Sequence, residues 1–291
     1  MSQDVRRFWL TNARGENYNL MGQAPFLHTP SGLGFQVDLQ TLRLGNSQLI
    51  TAESYNLGSF QADLVFFGNR PTQYQNYQTF LRFIRFTPIQ LHYQTPNSNS
   101  SFFCYVRINS LGKSEISPTD NVLHVPVSML RQTLWYSDTI NSITVQNTLS
   151  GGKEYPLDRP YIYAQPAFTN IPVYNNSITD APFQMSLTGS ITDMEYGVYD
   201  ADGNQYGACK VVGTYDVITI DSDELNENIY LENGGSVIAN AINYQDLTVG
   251  NPAEIYVTFI KLKPGQNYIR FEPSAFSGDV TITWRDAYVS V

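Results

Sequence analysis

The chain has 291 residues, only 15% of them charged and 13% aromatic, with a formal net charge of −9. That length holds about two domains with real cores, and no segment reaches the apolar length of a membrane helix, which excludes membrane insertion through helices. The first 135 residues carry 10 basic and 7 acidic side chains, and the remaining 156 carry 7 and 19, so an acidic second half and a first half without a basic cluster exclude specific nucleic-acid binding.

The first elements read as strands. Arg6–Leu20 gives a short strand, a turn at Ala13-Arg14-Gly15 and a return strand, and Thr29-Pro30-Ser31-Gly32 is a turn. From Phe35 apolar residues alternate at Phe35, Val37 and Leu39. Leu42 and Leu44 shift phase, Gly45-Asn46-Ser47 turns the chain, and Leu49-Ile50 resume. Ser59–Gly68 is a further strand. Tyr74–Phe86 departs from period 2 and reads as a helix. Pro71 suits its first turn, and Tyr74, Tyr77, Phe80, Leu81 and Ile84 form a core-facing stripe. Phe83 and Phe86 fall on the far side, which suggests either a second surface or a chain already entering the next strand. Strands follow at Ile89–Gln94, Ser101–Ser110 and Val122–Val127, with Cys104 in phase with Phe102, Val106 and Ile108 as a core thiol.

Leu134-Trp135-Tyr136 marks a boundary, giving domains 1–136 and 137–291. Residues 150–176 are rich in Pro and Asn and read as short strands and loops. Asp202-Gly203 closes a hairpin, further strands follow, the stretches Ile255–Pro273 and Ser277–Val291 close the chain, and Val280, Ile282 and Trp284 share the buried face of the last strand. Many short strands with turn signals between them indicate a mainly β protein of sandwich or jelly-roll type with one helix.

Little in the sequence carries chemistry. His28, His92 and His124 have no metal spacing, and Cys104 and Cys209 stand far apart. Gly32-Leu33-Gly34 lacks the third glycine of a nucleotide cradle and no helix follows it. Asp200-Ala201-Asp202-Gly203-Asn204 lacks the twelfth-position glutamate of a calcium loop, and Asp221, Asp223, Glu224 and Glu227 read as a solvated acidic patch. No catalytic, metal or cofactor residue emerges, and no cofactor is expected. Three classes stay open: an assembly protein, a sugar-binding module whose rings stack on pyranose faces, and an enzyme without a local signature.

Read in order, Phe8-x-Leu10-x-Asn12-x-x-Gly15 with Tyr18-x-Leu20, the helix, the strands ending in Leu134-Trp135-Tyr136, and Gly265-x-Asn267 before Val280–Trp284 resemble the distal tail proteins of siphophages that infect Gram-positive bacteria. The resemblance covers both ends and the first half, and matches poorly over about 140–200. It implies an N-terminal β-sandwich with one helix and an extended hairpin, and a C-terminal galectin-like/jelly-roll β-sandwich. It implies a structural, non-enzymatic virion protein at the tail tip, synthesised in the host cytoplasm. It also implies a homohexameric ring whose partners are the tail tube protein, the tail-tip fibre protein and receptor-binding proteins, with lectin-like recognition of a host cell-wall glycan as the alternative. The ring-closing hairpin is expected within Phe35–Leu57. Leu49, Ile50, Tyr55 and Leu57, together with Phe83 on the helix, are the expected oligomer interface.

Overall fold

A computed structural model of the protein describes residues 6–22, 24–95, 100–146, 168–225, 227–241, 256–257 and 259–291. The chain divides into two compact units, Met1–Thr139 with Ala287–Val291, and Ile140–Asp286. The sequence places the division after residue 136 and gives the whole C-terminus to the second domain. In the structure the last five residues return to the first unit.

The first unit is built on one antiparallel sheet. Its order is β2 (Asn17–Asn19), β1 (Arg7–Thr11), β7 (Ile89–Gln94), β8 (Ser101–Leu111), β9 (Leu123–Arg131), β6 (Ser59–Phe66), β3 (Phe26–Ser31). A short strand β10 (Trp135–Ser137) pairs with β8 and with β19 (Ala287–Tyr288), the returning C-terminus. Three strands separate β1 from β6 in the sheet, yet the rings of Phe8 and Phe60 stand 5.8 Å apart. The sheet therefore curls over its own apolar face. The core so enclosed includes Phe8, Leu10, Phe60, Leu64, Cys104 and Trp135, each at most 1% exposed.

Helix α1 (Arg70–Phe83) starts earlier than the apolar stripe suggests, because Asn69 caps it. The Asn69 side chain accepts from the Thr72 amide at 3.0 Å, and Pro71 occupies the first turn, where an amide hydrogen would find no partner. The buried face is Gln73, Tyr77, Phe80 and Phe83. Phe66 packs edge-on to Tyr77 and Phe80, and Tyr18 meets Phe80 and Phe83 at 5.4 and 5.0 Å. A helix this short is marginal alone, so these ring contacts hold it. Fully burying Phe80 stabilises by about 2–3 kcal/mol.

The second unit contains one sheet in the order β11 (Asn141–Gln146), β18 (Gly265–Trp284), β13 (Phe183–Asp200), β14 (Gln205–Asp221), β15 (Asn228–Asn233), β16 (Ser236–Ala241). Two further strands, β12 (Phe168–Asn175) and β17 (Tyr256–Val257), pair with β18 and β14. The two last strands expected from the sequence are one strand of 20 residues. The reason lies in its pairing. β12 takes its first half, at 265–271, and β11 its second half, at 279–284. β13 and β14 likewise pair in two stretches separated by register shifts between Thr188 and Met194. Long strands that bend midway thus contribute to two layers, the device by which strands turn a corner between packed sheets. Tyr196, Val198, Ile218, Leu231, Ile269, Phe271, Val280 and Ile282 fill the space between the layers. This is a β-sandwich.

Several local readings hold in detail. Cys104 and Cys209 are buried and unpaired. The Asp200 carboxylate accepts from the amides of Asp202 and Asn204 at 3.0 and 2.8 Å, tying a hairpin turn. Asn267 is fully buried, donates to the carbonyls of Lys263 and Gly265, and accepts from the Tyr206 hydroxyl at 2.6 Å. The indole N–H of Trp284 donates to the Tyr174 carbonyl at 3.1 Å. Most of the Pro/Asn-rich stretch 150–176 lies outside the described residues.

Candidate assembly interface

Strands β4 (Gln36–Leu44) and β5 (Ser47–Asn56) form a two-stranded sheet of their own. At about 3.4 Å per residue their nine paired positions reach roughly 30 Å. Gly45 turns the tip with φ 61°. Leu39 and Leu42 on β4, and Leu49 and Ile50 on β5, are an odd number of positions apart, so apolar side chains occur on both faces; the one register shift leaves Thr51 of β5 without a counterpart between Gln40 and Thr41. Leu42 pairs with Leu49, and Leu44 lies on their side. Leu39 and Ile50 lie on the other. All five, with Phe35, are about half exposed, between 48% and 57%. A lone hairpin is marginal in water, and an exposed apolar cluster is the kind of surface through which proteins interact.

The expected interface residues are not equivalent in the structure. Leu49 and Ile50 are exposed on the hairpin. Tyr55 lies in β5 opposite Val37, and its side chain is outside the described residues. Leu57 is half-buried at the hairpin root. Phe83 corrects the expectation: it is 7% exposed and faces the core. The helix rolls toward β2 to seat Phe80 and Phe83 against Tyr18, which leaves Tyr74 and Leu81 only partly buried. The sequence reading missed Leu39, Leu42, Leu44 and Phe35 as surface residues. The available signal was the phase shift at Leu42, which places apolar residues on both sides of one strand.

The hairpin root is fixed by hydrogen bonds. The Gly58 amide donates to Asn56 Oδ1 at 2.9 Å, and Asn56 Nδ2 donates to Asp38 Oδ2 at 3.1 Å. Arg131, at the end of β9, donates from Nη2 to the Gly34 carbonyl at 2.6 Å and from Nε to the Leu57 carbonyl.

Elsewhere on the first unit, His124 bridges two carboxylates, Nδ1 to Asp63 Oδ2 at 2.6 Å and Nε2 to Asp120 Oδ2 at 2.9 Å. These bonds, Asp63 first, raise the His124 pKa, and the bond from His124 helps hold the Asp120 carboxyl down at about 2. A groove of about 460 Å³ beside Asp63 is lined by Thr29, Ser31, Gln61, Ser110 and Ser128. His92 stacks on Trp9 at 4.8 Å and bonds Thr11. Among the described residues no group of three or more His, Cys, Asp or Glu is placed to hold a metal. In the second unit the guanidinium of Arg270 covers the Tyr199 ring at 4.7 Å, and among the described aromatics there Tyr174 is the one that stands more than half exposed.

Residues 7–131 match the family described as distal tail protein, N-terminal domain. The chain carries a distal tail protein N-terminal domain. The match spans strands β1 to β9, with the helix and the whole hairpin. A search of curated protein sequences found no match. Among solved structures, a chain of the phage P2 baseplate in its activated conformation with Ca aligns with a TM-score of 0.66 at 16% identity, over 99% of this chain and 100% of that one. The Dit protein of phage SPP1, described as a paradigm of hub adsorption apparatus in phages infecting Gram-positive bacteria, aligns with a TM-score of 0.60 at 14% identity, over 96% and 98%. The whole chain, second unit included, therefore shares its fold with baseplate and hub proteins. No helix of the described residues is long and apolar enough to cross a membrane.

Proposed function

We propose that this distal tail protein closes into a six-membered ring through the β4–β5 hairpin. The ring joins the tail tube protein to the tail-tip fibre protein at the tip of the virion, and its second unit carries receptor-binding proteins during host attachment. The observation that carries the reading is the hairpin itself, which presents Leu42, Leu44 and Leu49 on one face and Leu39 and Ile50 on the other. A strand pair apolar on both sides needs cover on both sides, which one neighbouring copy in a heterologous, closing interface supplies. Burying these half-exposed residues with Phe35 contributes on the order of 5 kcal/mol per contact, enough to offset much of the cost of association. The acidic second unit, with 19 acidic side chains against 7 basic in residues 136–291, leaves DNA passage to the less acidic ring. The role is architectural, without catalysis.

Particle mass and negative-stain images across a concentration series test this. Six-fold rings from the wild-type chain, lost in L42S/L49S, are expected. Rings that persist in L42S/L49S sink the hairpin as the closing element. Monomers at every concentration, with and without the tail tube protein, sink the ring.

A further inference from the structure

Arg131 is 3% exposed, its side-chain hydrogen bonds go to carbonyl oxygens rather than a carboxylate, and its guanidinium lies 6.0 Å from the Trp135 ring. Its Nη1 is buried without a hydrogen-bond partner. Burial accordingly lowers its pKa. A guanidinium buried on such terms is costly, and an apolar side chain of similar volume is often as stabilising or more so. Packing therefore does not account for an arginine here. The geometry of its bonds does. Gly34 precedes β4 and Leu57 follows β5, so the planar fork holds one carbonyl on each leg of the hairpin. The Arg131 amide adds a third bond, to the Gly58 carbonyl at 3.3 Å. Both legs contain a glycine at this point, Gly34 and Gly58, where backbone rotation is least hindered. The β4–β5 ladder keeps the hairpin straight but does nothing to fix the angle at which it leaves the first unit.

We propose that Arg131 is the positioning residue of the hairpin. It locks the two glycine-containing legs and so presets the direction in which the apolar strand pair projects. The lock is a property of the single chain. Its consequence for ring closure rests on the function proposed above, since a hairpin that swivels must lose that freedom on meeting its neighbour.

The test uses the full chain with spin labels at Gln48→Cys on the hairpin and Gln75→Cys on α1, diluted until it is monomeric. Both positions are exposed, and the two native cysteines are buried. The label-to-label distance distribution is measured for wild type, R131K and R131M. A narrow distribution is expected for wild type, and one at least about twofold broader for R131M. R131K, with a point charge able to serve one leg at a time, falls between them. The melting temperature of R131M stays within about 3 °C of wild type. Ring formation then requires roughly tenfold more R131M protein. A distribution in R131M as narrow as in wild type overturns the proposal. So does collapse of the first unit in both variants, because Arg131 is then a core residue and not a lock. Broadening without any rings from the wild-type chain leaves the lock standing and removes the ring.

Discussion

The rings of Phe271 and Phe276 lie 5.4 Å apart although five positions separate them on β18. An extended strand would hold such residues about 16 Å apart. The strand turns over between them, and the pair fills the inside of the bend. On the other side of the same bend Gly278 faces Gly189 in register. A Cβ on Gly278 would stand 1.9 Å from the Thr188 carbonyl oxygen, and the backbone there has φ 155°. Gly278→Ala is expected to destabilise the second unit by about 4 kcal/mol or more, in the tail of single-substitution effects. Gly234→Ala, where nothing stands within 4 Å, is expected to cost about 1 kcal/mol for its φ of 58°. Urea unfolding of the full chain separates the two, and equal midpoints would refute the close approach.

Phe83 and Leu49 were grouped as interface residues by sequence, and the structure separates them. Phe83→Ala opens a cavity under Tyr18 and is expected to cost about 3–4 kcal/mol of stability. Leu49→Ser removes exposed surface and is expected to change monomer stability by less than about 0.5 kcal/mol while weakening assembly. Thermal unfolding alongside particle mass reads both effects. An L49S chain that melts like F83A would place Leu49 in a core.

The His124 bridge has a pH signature. Its folded-state pKa lies above its ordinary value near 6.5, so its contribution is complete below that value. It is lost as pH rises through the folded-state value. The Asp120 contribution runs the other way, present above about 3.8 and lost as pH falls toward about 2. The bridge is therefore fullest between about pH 4 and 6.5. NMR titration of His124 should show a midpoint above 6.5 that drops in Asp63→Asn, which removes the largest cause. An unmoved midpoint would refute the pairing.

Removing residues 287–291 is expected to destabilise the first unit, not the second. Ala287 and Val289 are buried, Tyr288 packs edge-on against Phe102 at 5.3 Å, and β19 completes the pairing of β10. The expected loss is about 2–3 kcal/mol. Denaturant unfolding of a chain ending at Asp286 measures it, and a shift confined to the second transition would contradict the assignment.

Alternation and turn residues made most strands of the first unit legible, because each has one face buried and a one-residue slip would expose it. The helix was legible as an element but not in its roll. Phe83 joins the core because Tyr18, 65 positions earlier, supplies a ring beside it, and such pairing leaves no local trace. The single bent β18 was read as two strands because Pro273 and the small residues after it resemble a turn. The hairpin was legible as a turn-linked strand pair with Leu49 and Ile50 outside a core, and the exposure of Leu39, Leu42 and Leu44 beside them was not. Arg131 carried no signal at all: at the end of a strand it reads as an ordinary solvated charge.

The returning strand also sets an order of events. β19 follows the whole second unit along the chain, yet it pairs with β10 beside Trp135 and belongs to the first unit. During synthesis the half that bears the hairpin therefore waits for the second unit to be made before its own sheet is filled. A fragment ending within the second unit would still display the apolar hairpin but would lack the strand that closes the edge of β10. Such fragments carry a weakened first unit, so they are disfavoured as building blocks before any encounter takes place.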